Sequence, residues 1–574
     1  MKKIIAILLA VLIILGTGSV AFAREYISDT YTYPVPIVNL GGDGAALRLE
    51  NGEIVNGSFG SLLGSFGGED DDGKFGNILS SAMNIIKPLF KGNFTGDYDD
   101  YYDALRDELT DLYEPMLMDK NGDPINMSDV WDQNLPENCA AIREGKTSNF
   151  TYYDFTFAYD WRMDPFYSAE KLNEYIKLVK QSTGFDKVAL RGRCLGSVII
   201  MAYLAVYGTD DICGLGFNGS VAYGNDVVTD LFTGEFKIDL NGVSRFLAGL
   251  NDNNETDLDE ALMSTLSLLE NSGAIKAATK ITKDVFLKNI YDGALSSVLL
   301  SIFITCPAYW ALVKPEKLNK AIDVVYGREG SKRRAEYSGM VDKITRYHET
   351  VRANIDTILK DAQAKKINIC VVSKYGFQII PLVKKPDVLS DEQVSVADSS
   401  FGATVAADMY SVLDEDYLAS ADKKYISPDK QIDSSTCLFP DYTWFLKGIG
   451  HTNWTNAEYY LSSKVITADH QLTIDDTQEI FDLYDSYPSV SDKIPTAQFL
   501  VYDISTSTEV WGYCDGFVYD MTGENCKTGS WENTKAYKDY PENKKGGIKA
   551  VFESYFRWVK TMLSWFGKLL EIKQ

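Results

Sequence analysis

KVALRGRCLGSVIIMAYL, residues 187–204, passes from a β-branched apolar run through a Gly-x-Cys-x-Gly turn straight into a helical pattern. Strand, tight turn and helix in immediate succession are how a nucleophile is raised at the carboxyl edge of a parallel sheet. The spacing predicts a strand over KVALRG, a helix from Leu195 onward, and Cys194 at the apex between them. Serine is the usual residue there, so the reading turns on whether this sulfur performs the chemistry, marks a different reaction, or records a lost one.

Outward from that turn the same alternation recurs. TYYDFTFAYDWR (151–162) alternates and is rich in aromatics, which predicts a strand ending at Tyr159 or Asp160. SAEKLNEYIKLVKQSTGF follows with Leu172, Tyr175, Ile176 and Val179 at helical spacing, Ser168 as its expected cap and Gly184 as its stop. Upstream, YPVPIVNLGGDGAALRL (33–49) reads as a buried strand and a glycine-rich bend. Downstream, ICGLGFNGS, KKINICVVSKYG (365–376) and YTWFLKGIG (442–450) read as further strands. This order predicts an α/β fold with a mostly parallel central sheet covered by helices on both faces. Residues 226–364 carry helical patterns and no convincing strand, as expected of a cap inserted over a site.

The chain of 574 residues is 45% hydrophobic, enough for a large core. Its formal net charge of −25 argues against a nucleic-acid partner, because phosphate binding needs clustered Lys and Arg. MKKIIAILLAVLIILGTGSVAFA has two lysines, a short apolar run and a small-residue finish, the pattern of a signal peptide cut before Arg24. An uncleaved anchor is the alternative, and either implies a secreted or cell-surface protein. The expected organisation is a signal peptide (1–23), a first part of the core (24–225), the cap (226–364), a second part of the core (365–470), an extension (471–545) and an amphipathic helix (546–574). Within the last, residues 551–570 place apolar side chains at helical spacing with Trp558 and Trp565 nearby, which suits a domain-packed helix or one lying on a lipid surface. Eight cysteines in so long a chain do not make a disulfide scaffold; Cys514 and Cys526 are the first pair to test, and Cys213, Cys306 and Cys370 read as buried thiols. DKNGDP (119–124) has the look of a turn rather than a calcium loop.

Attack on a carbonyl needs a nucleophile, a base, an acid that orients the base, and donors for the oxyanion. Cys194 is the nucleophile in the turn, and the N–H of Leu195 is one oxyanion donor. The second is expected from NLGGDG (39–44), through Leu40 or Gly41; the same glycines also suit a plain tight turn. Only three histidines exist. His348 lies in a polar helical stretch and His470 in an apparently exposed one, whereas His451 directly follows a late strand, where a base belongs. For the acid Asp398, in VADSSFGATVAADM, is preferred, with Asp387, Asp391 and Asp433 as competitors. No metal cluster is apparent, and this chemistry requires no cofactor.

Taken together, PVPIVNLGGDG, YDWRMDP, GRCLGS, PAYWALVKP (307–315), VADSSFGATV and CLFPDYTWFLKGIGH resemble the lecithin:cholesterol acyltransferase and phospholipid:diacylglycerol acyltransferase branch of the α/β-hydrolase superfamily. The resemblance spans most of residues 33–455. It implies a lipase, esterase or acyltransferase acting on lipid or other acyl esters or thioesters through a covalent acyl-enzyme. It also implies that Asp160 and Trp161 border the site and that Trp310 belongs to a substrate-facing cap segment; packing at the strand end is the alternative for the first two. The turn departs from the family's usual G-H-S-M-G-G: Arg193 replaces histidine, Cys194 serine and Ser197 the second glycine. A thiolate paired with imidazolium attacks esters and thioesters, and Arg193 would favour the thiolate if turned toward the sulfur. Polyhydroxyalkanoate synthases share a G-x-C-x-G box, which keeps an acyl polymerase of that type as a further alternative, although their chemistry is intracellular. An inactive protein that holds an acyl chain under the cap is the remaining alternative.

Overall fold

A computed structural model describes residues 35–42, 154–236, 304–451 except 382, and 456–482, with short pieces at 47–48, 54–55, 100, 103–104, 117–125, 498–502 and 511–513. The expected signal peptide, Cys514, Cys526 and the 551–570 segment lie outside these residues.

The sheet is built from β1 (Ile37–Leu40), β2 (Asp154–Phe157), β3 (Val188–Cys194), β4 (Ile212–Ser220), β5 (Asn368–Tyr375), β6 (Thr443–Lys447), β7 (Phe499–Tyr502) and β8 (Trp511–Tyr513). Its spatial order is β8-β7-β6-β5-β4-β3-β1-β2. All pairings are parallel except β7 with β8. This is a mostly parallel α/β architecture with helices on both faces, and the turn at Cys194 leaves the carboxyl end of a central strand.

Burial of both faces of the sheet explains why the strands read as continuous apolar runs. In β5, Ile369 and Val371 enter the core on one face, while Cys370 and Val372 enter the core on the other. The first face is covered by α1 (Pro165–Thr183) and α2 (Leu195–Tyr207), whose Leu172, Ile176, Val198 and Met201 are fully buried. The second is covered by α8 (Asn456–Thr467) through Tyr460, Leu461, Val465 and Ile466.

Helix α1 begins earlier than the sequence predicts. Its cap is Asp164 rather than Ser168, with the Asp164 carboxylate accepting from the Phe166 N–H at 3.0 Å and Pro165 in the first turn. Proline's fixed φ and missing N–H suit that position, so the helix starts where the chain first permits. Gly184 closes it in the left-handed conformation, φ 78°. Strand β2 is also shorter than expected and ends at Phe157, which frees Tyr159–Arg162 to form the turn described below.

Between β4 and β5 the described elements are all helical: α3 (Asp226–Phe232), α4 (Pro307–Trp310), α5 (Leu318–Tyr326), α6 (Ser338–Thr350) and α7 (Ile355–Ala364), with the five-residue helix Lys332–Glu336 and short 3-10 turns between them. Among the described residues no helix is long and apolar enough to cross a membrane.

Candidate active site

Cys194 joins β3 to α2 with φ 48° and ψ −123°, a backbone conformation that L-residues rarely adopt. The strain is held by close packing on every side. Ser197 donates its hydroxyl to the Cys194 carbonyl (2.6 Å) and accepts from the Val221 N–H (3.1 Å). At Gly196 a Cβ would stand 2.5 Å from the Leu40 carbonyl oxygen and 2.8 Å from that of Gly41. Glycine is therefore required where α2 starts, because the β1 loop passes directly against it. The loop is anchored in turn by Tyr159, whose hydroxyl donates to the Gly41 carbonyl at 2.6 Å. The expected oxyanion residues Leu40 and Gly41 thus lie next to the turn that carries Leu195, with their carbonyls against the start of α2, and a Cβ at Gly41 would meet no atom within 4 Å.

His451 follows β6 and is 1% exposed. Its Nδ1 lies 2.7 Å from Oδ2 of Asp391, a residue with no exposed surface. The backbone adds a second tie, from the His451 N–H to the Asp391 carbonyl at 2.7 Å. Oδ1 of Asp391 accepts from the N–H groups of Gln393 (3.2 Å) and Val394 (2.8 Å), so both carboxylate oxygens are committed. The other ring nitrogen, Nε2, is buried without a hydrogen bond of standard geometry. Cys194 is the group that acts on the ring beside Asp391. Gly219, φ 56°, makes room for this pair: a Cβ there would lie 3.3 Å from the imidazole and 3.5 Å from Oδ2 of Asp391.

The charges follow from this packing. Burial lowers the His451 pKa, but the Asp391 carboxylate and the Cys194 sulfur overcome it and push the value up to about 10. Burial raises that of Asp391, and the His451 charge and hydrogen bond, the Val394 N–H and Lys374 together hold it below the usual carboxylate range. At neutral pH the site is thus an imidazolium held between a carboxylate and a half-buried sulfur. The other described thiols stand apart: burial pushes Cys213 up to about 11 and Cys437 up to about 12, and it raises Cys306 and Cys370 as well.

The acid on the histidine is Asp391, not Asp398. A small antiparallel hairpin, Phe377–Gln378 with Leu389–Ser390, returns the chain after β5 and sets Asp391 against His451. Asp398 sits seven residues further on, in a short helix (Val396–Ser399), where it pairs with Lys314 at 2.9 Å and accepts from Ser395 at 2.5 Å. Lys314 also binds Asp226 (2.7 Å), so Asp398 ties the helical region to the acid loop. Asp433 is likewise committed, to the Tyr417 hydroxyl and the Ser435 N–H. Two-residue strands give almost no periodic signal, which is why the sequence did not separate Asp391 from its neighbours.

The expected substrate-facing residues are placed in the interior. Trp310 has no exposed surface, donates Nε1 to the Ile304 carbonyl (2.6 Å) and stacks on Tyr326 at 5.2 Å. Asp160 is bound by the buried Arg162 at 2.6 Å, and Trp161 packs on Tyr309 at 5.5 Å. These side chains join the helical region to the sheet as core. His348 is buried against the Trp310 carbonyl (2.9 Å), and His470 is exposed beside Asp469. Arg193 turns to the chain segment of the base, its Nη2 donating to the His451 carbonyl at 2.6 Å. Among the described residues no cluster of His, Cys, Asp and Glu is arranged to hold a metal ion.

No protein-family model matches the chain, and no curated protein sequence matches it. Among solved structures, a crystal structure of the Tle4–Tli4 complex is similar at 13% identity over 60% of this chain and 75% of that one, with a TM-score of 0.24. Similarity at that level does not bear on what this chain does.

Proposed function

We propose that the chain is an acyl hydrolase or acyltransferase of the lecithin:cholesterol acyltransferase type, acting on lipid or other acyl esters and thioesters with Cys194 as nucleophile, His451 as acid and base, and Asp391 as the residue that orients it. The observation that carries this reading is the meeting of three separate chain segments: the strained turn at Cys194, the buried imidazole, and the carboxylate 2.7 Å from its far nitrogen. The thiolate adds to the acyl carbonyl carbon, and the resulting oxyanion is received by the N–H of Leu195 with that of Leu40 or Gly41. Collapse breaks the ester or thioester bond, and the imidazolium gives its proton to the departing oxygen or sulfur. Neutral His451 then removes a proton from water or an acceptor alcohol, which attacks the acyl-cysteine and restores the thiolate. The N-terminal apolar run and the 551–570 segment extend the proposal to a secreted enzyme working at a lipid surface.

The test is a panel of acyl esters and thioesters offered to the purified protein, with intact-mass detection of the acylated chain. The expected result is turnover, a mass increase equal to one acyl group on Cys194, and loss of both in Cys194→Ala. Binding of acyl ligands without turnover or acylation would leave only the inactive acyl-binding reading.

A further inference from the structure

Helix α3 opens the helical region, and its N-cap is Asn225, a buried residue on the loop after β4. The Oδ1 of Asn225 accepts from the Val228 N–H at 3.1 Å, and its backbone N–H donates to the Leu312 carbonyl at 2.8 Å. With the side-chain oxygen committed to the helix, the amide nitrogen faces the other way, where Nδ2 donates to the Gln393 carbonyl at 2.9 Å. Aspartate or serine would cap α3 as well, but a carboxylate has no proton to give and a serine hydroxyl ends one bond short of the amide nitrogen. What distinguishes asparagine here is therefore its hold on Gln393.

The Gln393 carbonyl and the Val394 N–H belong to one planar peptide unit. On the opposite edge of that unit the Val394 N–H donates to Oδ1 of Asp391 at 2.8 Å, while Oδ2 of Asp391 lies 2.7 Å from Nδ1 of His451. Because the unit is rigid, a bond that fixes its carbonyl also fixes the direction of its N–H, and with it the way the carboxylate is turned. Donation to the carbonyl also polarises the peptide and strengthens the N–H as a donor. The helical region meets the acid loop at two further points, Lys314 with Asp398 (2.9 Å) and the Lys384 N–H with Asp230 (2.6 Å). Asn225 is the contact among the three that engages a peptide bonded to Asp391.

We propose that Asn225 is a positioning residue: through the peptide unit between Gln393 and Val394 it holds the Asp391 carboxylate turned to the His451 imidazole. This rests on the reading of Cys194, His451 and Asp391 given above, and it makes the orienting acid dependent on the docking of the helical region.

Asn225→Ser and Asn225→Asp both keep an acceptor for the Val228 N–H and both lose the donor to Gln393. Asn225→Asp matches the native side chain in shape, so it supplies the answer if Asn225→Ser does not fold. Thr229→Val is the comparison, since it removes the Oγ1 that accepts from the Lys314 N–H (3.0 Å) on the same helix and leaves Gln393 untouched. Two readouts are taken: the NMR signal of the His451 Nδ1 proton in protein labelled with 15N-histidine, assigned by its loss in His451→Gln, and kcat and KM for an acyl thioester. In the Asn225 variants the signal is expected to move upfield and kcat to fall about tenfold, as for a weakened hydrogen bond to a charged group, with KM changed less. Thr229→Val is expected to leave both where they are in the unaltered protein. A signal that stays in place in a folded Asn225 variant, or that moves as far in Thr229→Val, overturns the proposal, as does a raised KM with kcat unchanged. The NMR readout needs no substrate, so a signal displaced in the Asn225 variants alone, in a protein that turns over no thioester, would count against the enzymatic reading while upholding the hold of Asn225 on Asp391.

Discussion

The separation of Asp391 from Asp398 shows how residue identity fails and local wiring succeeds. Both are buried aspartates on one loop, 0% and 8% exposed, yet one has its oxygens divided between an imidazole and two backbone N–H groups and the other is neutralised by Lys314. Removing charge from each has different consequences. Asp391→Asn keeps the shape but leaves the buried imidazole without its counter-charge, and it is expected to lower both kcat/KM, about 10³–10⁴-fold, and the thermal midpoint. Asp398→Asn is expected to leave catalysis within about tenfold while lowering the thermal midpoint, because Lys314 loses one of its two carboxylate partners. Acyl-thioester kinetics and thermal unfolding of the two variants check this. The opposite pattern would return the orienting role to Asp398.

At the level of elements, the site is made where β3 turns into α2 while the β1 loop crosses the start of that helix. Gly196→Ala brings a methyl group 2.5 Å from the Leu40 carbonyl, which is backbone and has little room to retreat. The expected cost is about 1–3 kcal/mol in urea unfolding, accompanied by a larger fall in activity than in substrate affinity, since the displaced loop carries the proposed oxyanion donor. Unchanged kcat with raised KM would mean that the loop serves binding alone. The same crossing explains what could be read from the sequence. The turn, the glycines and the long apolar strands were legible because strong local rules fix them: a G-x-C-x-G turn between strand and helix, and runs buried on both faces. His451 was legible for a related reason, following a strand of five buried residues. Asp391 depended on a hairpin of two-residue strands, Asp164 on a proline-led start that preceded the apolar periodicity, and Trp310 on the depth of packing in the helical region, none of which a linear pattern records.

On the scale of the whole molecule, the site leaves a signature in stability against pH. His451 binds its proton up to about pH 10 in the folded chain, against an ordinary value of 6.5, so its contribution to stability is complete below pH 6.5 and is lost as pH rises through about 10. Glu392, hemmed in against Gly450, is pushed up to about 8 first by burial and then by the Asp391 charge, against an ordinary 4.5. The folded chain keeps this carboxyl protonated where the unfolded chain does not, so stability again declines as pH rises, now from 4.5 to about 8. Asp391 and Asp429 shift the other way; both are held below the ordinary 3.8 despite burial, by His451 and by Lys447 respectively, and their contributions are present above pH 3.8 and lost below it. His348, lowered by burial to about 4 from an ordinary 6.5, adds stability as pH rises to 6.5 and offsets Glu392 there, so these signs place the stability maximum near pH 6, with a decline toward pH 10. Urea midpoints measured from pH 3 to 10 are expected to trace that curve, and Glu392→Gln is expected to flatten its slope between pH 6.5 and 8 while leaving the loss near pH 10. A midpoint that climbs between pH 6 and 9 would mean that the imidazole is not held charged between Asp391 and Cys194, and the arrangement on which the proposed catalysis depends would then be absent from the folded chain.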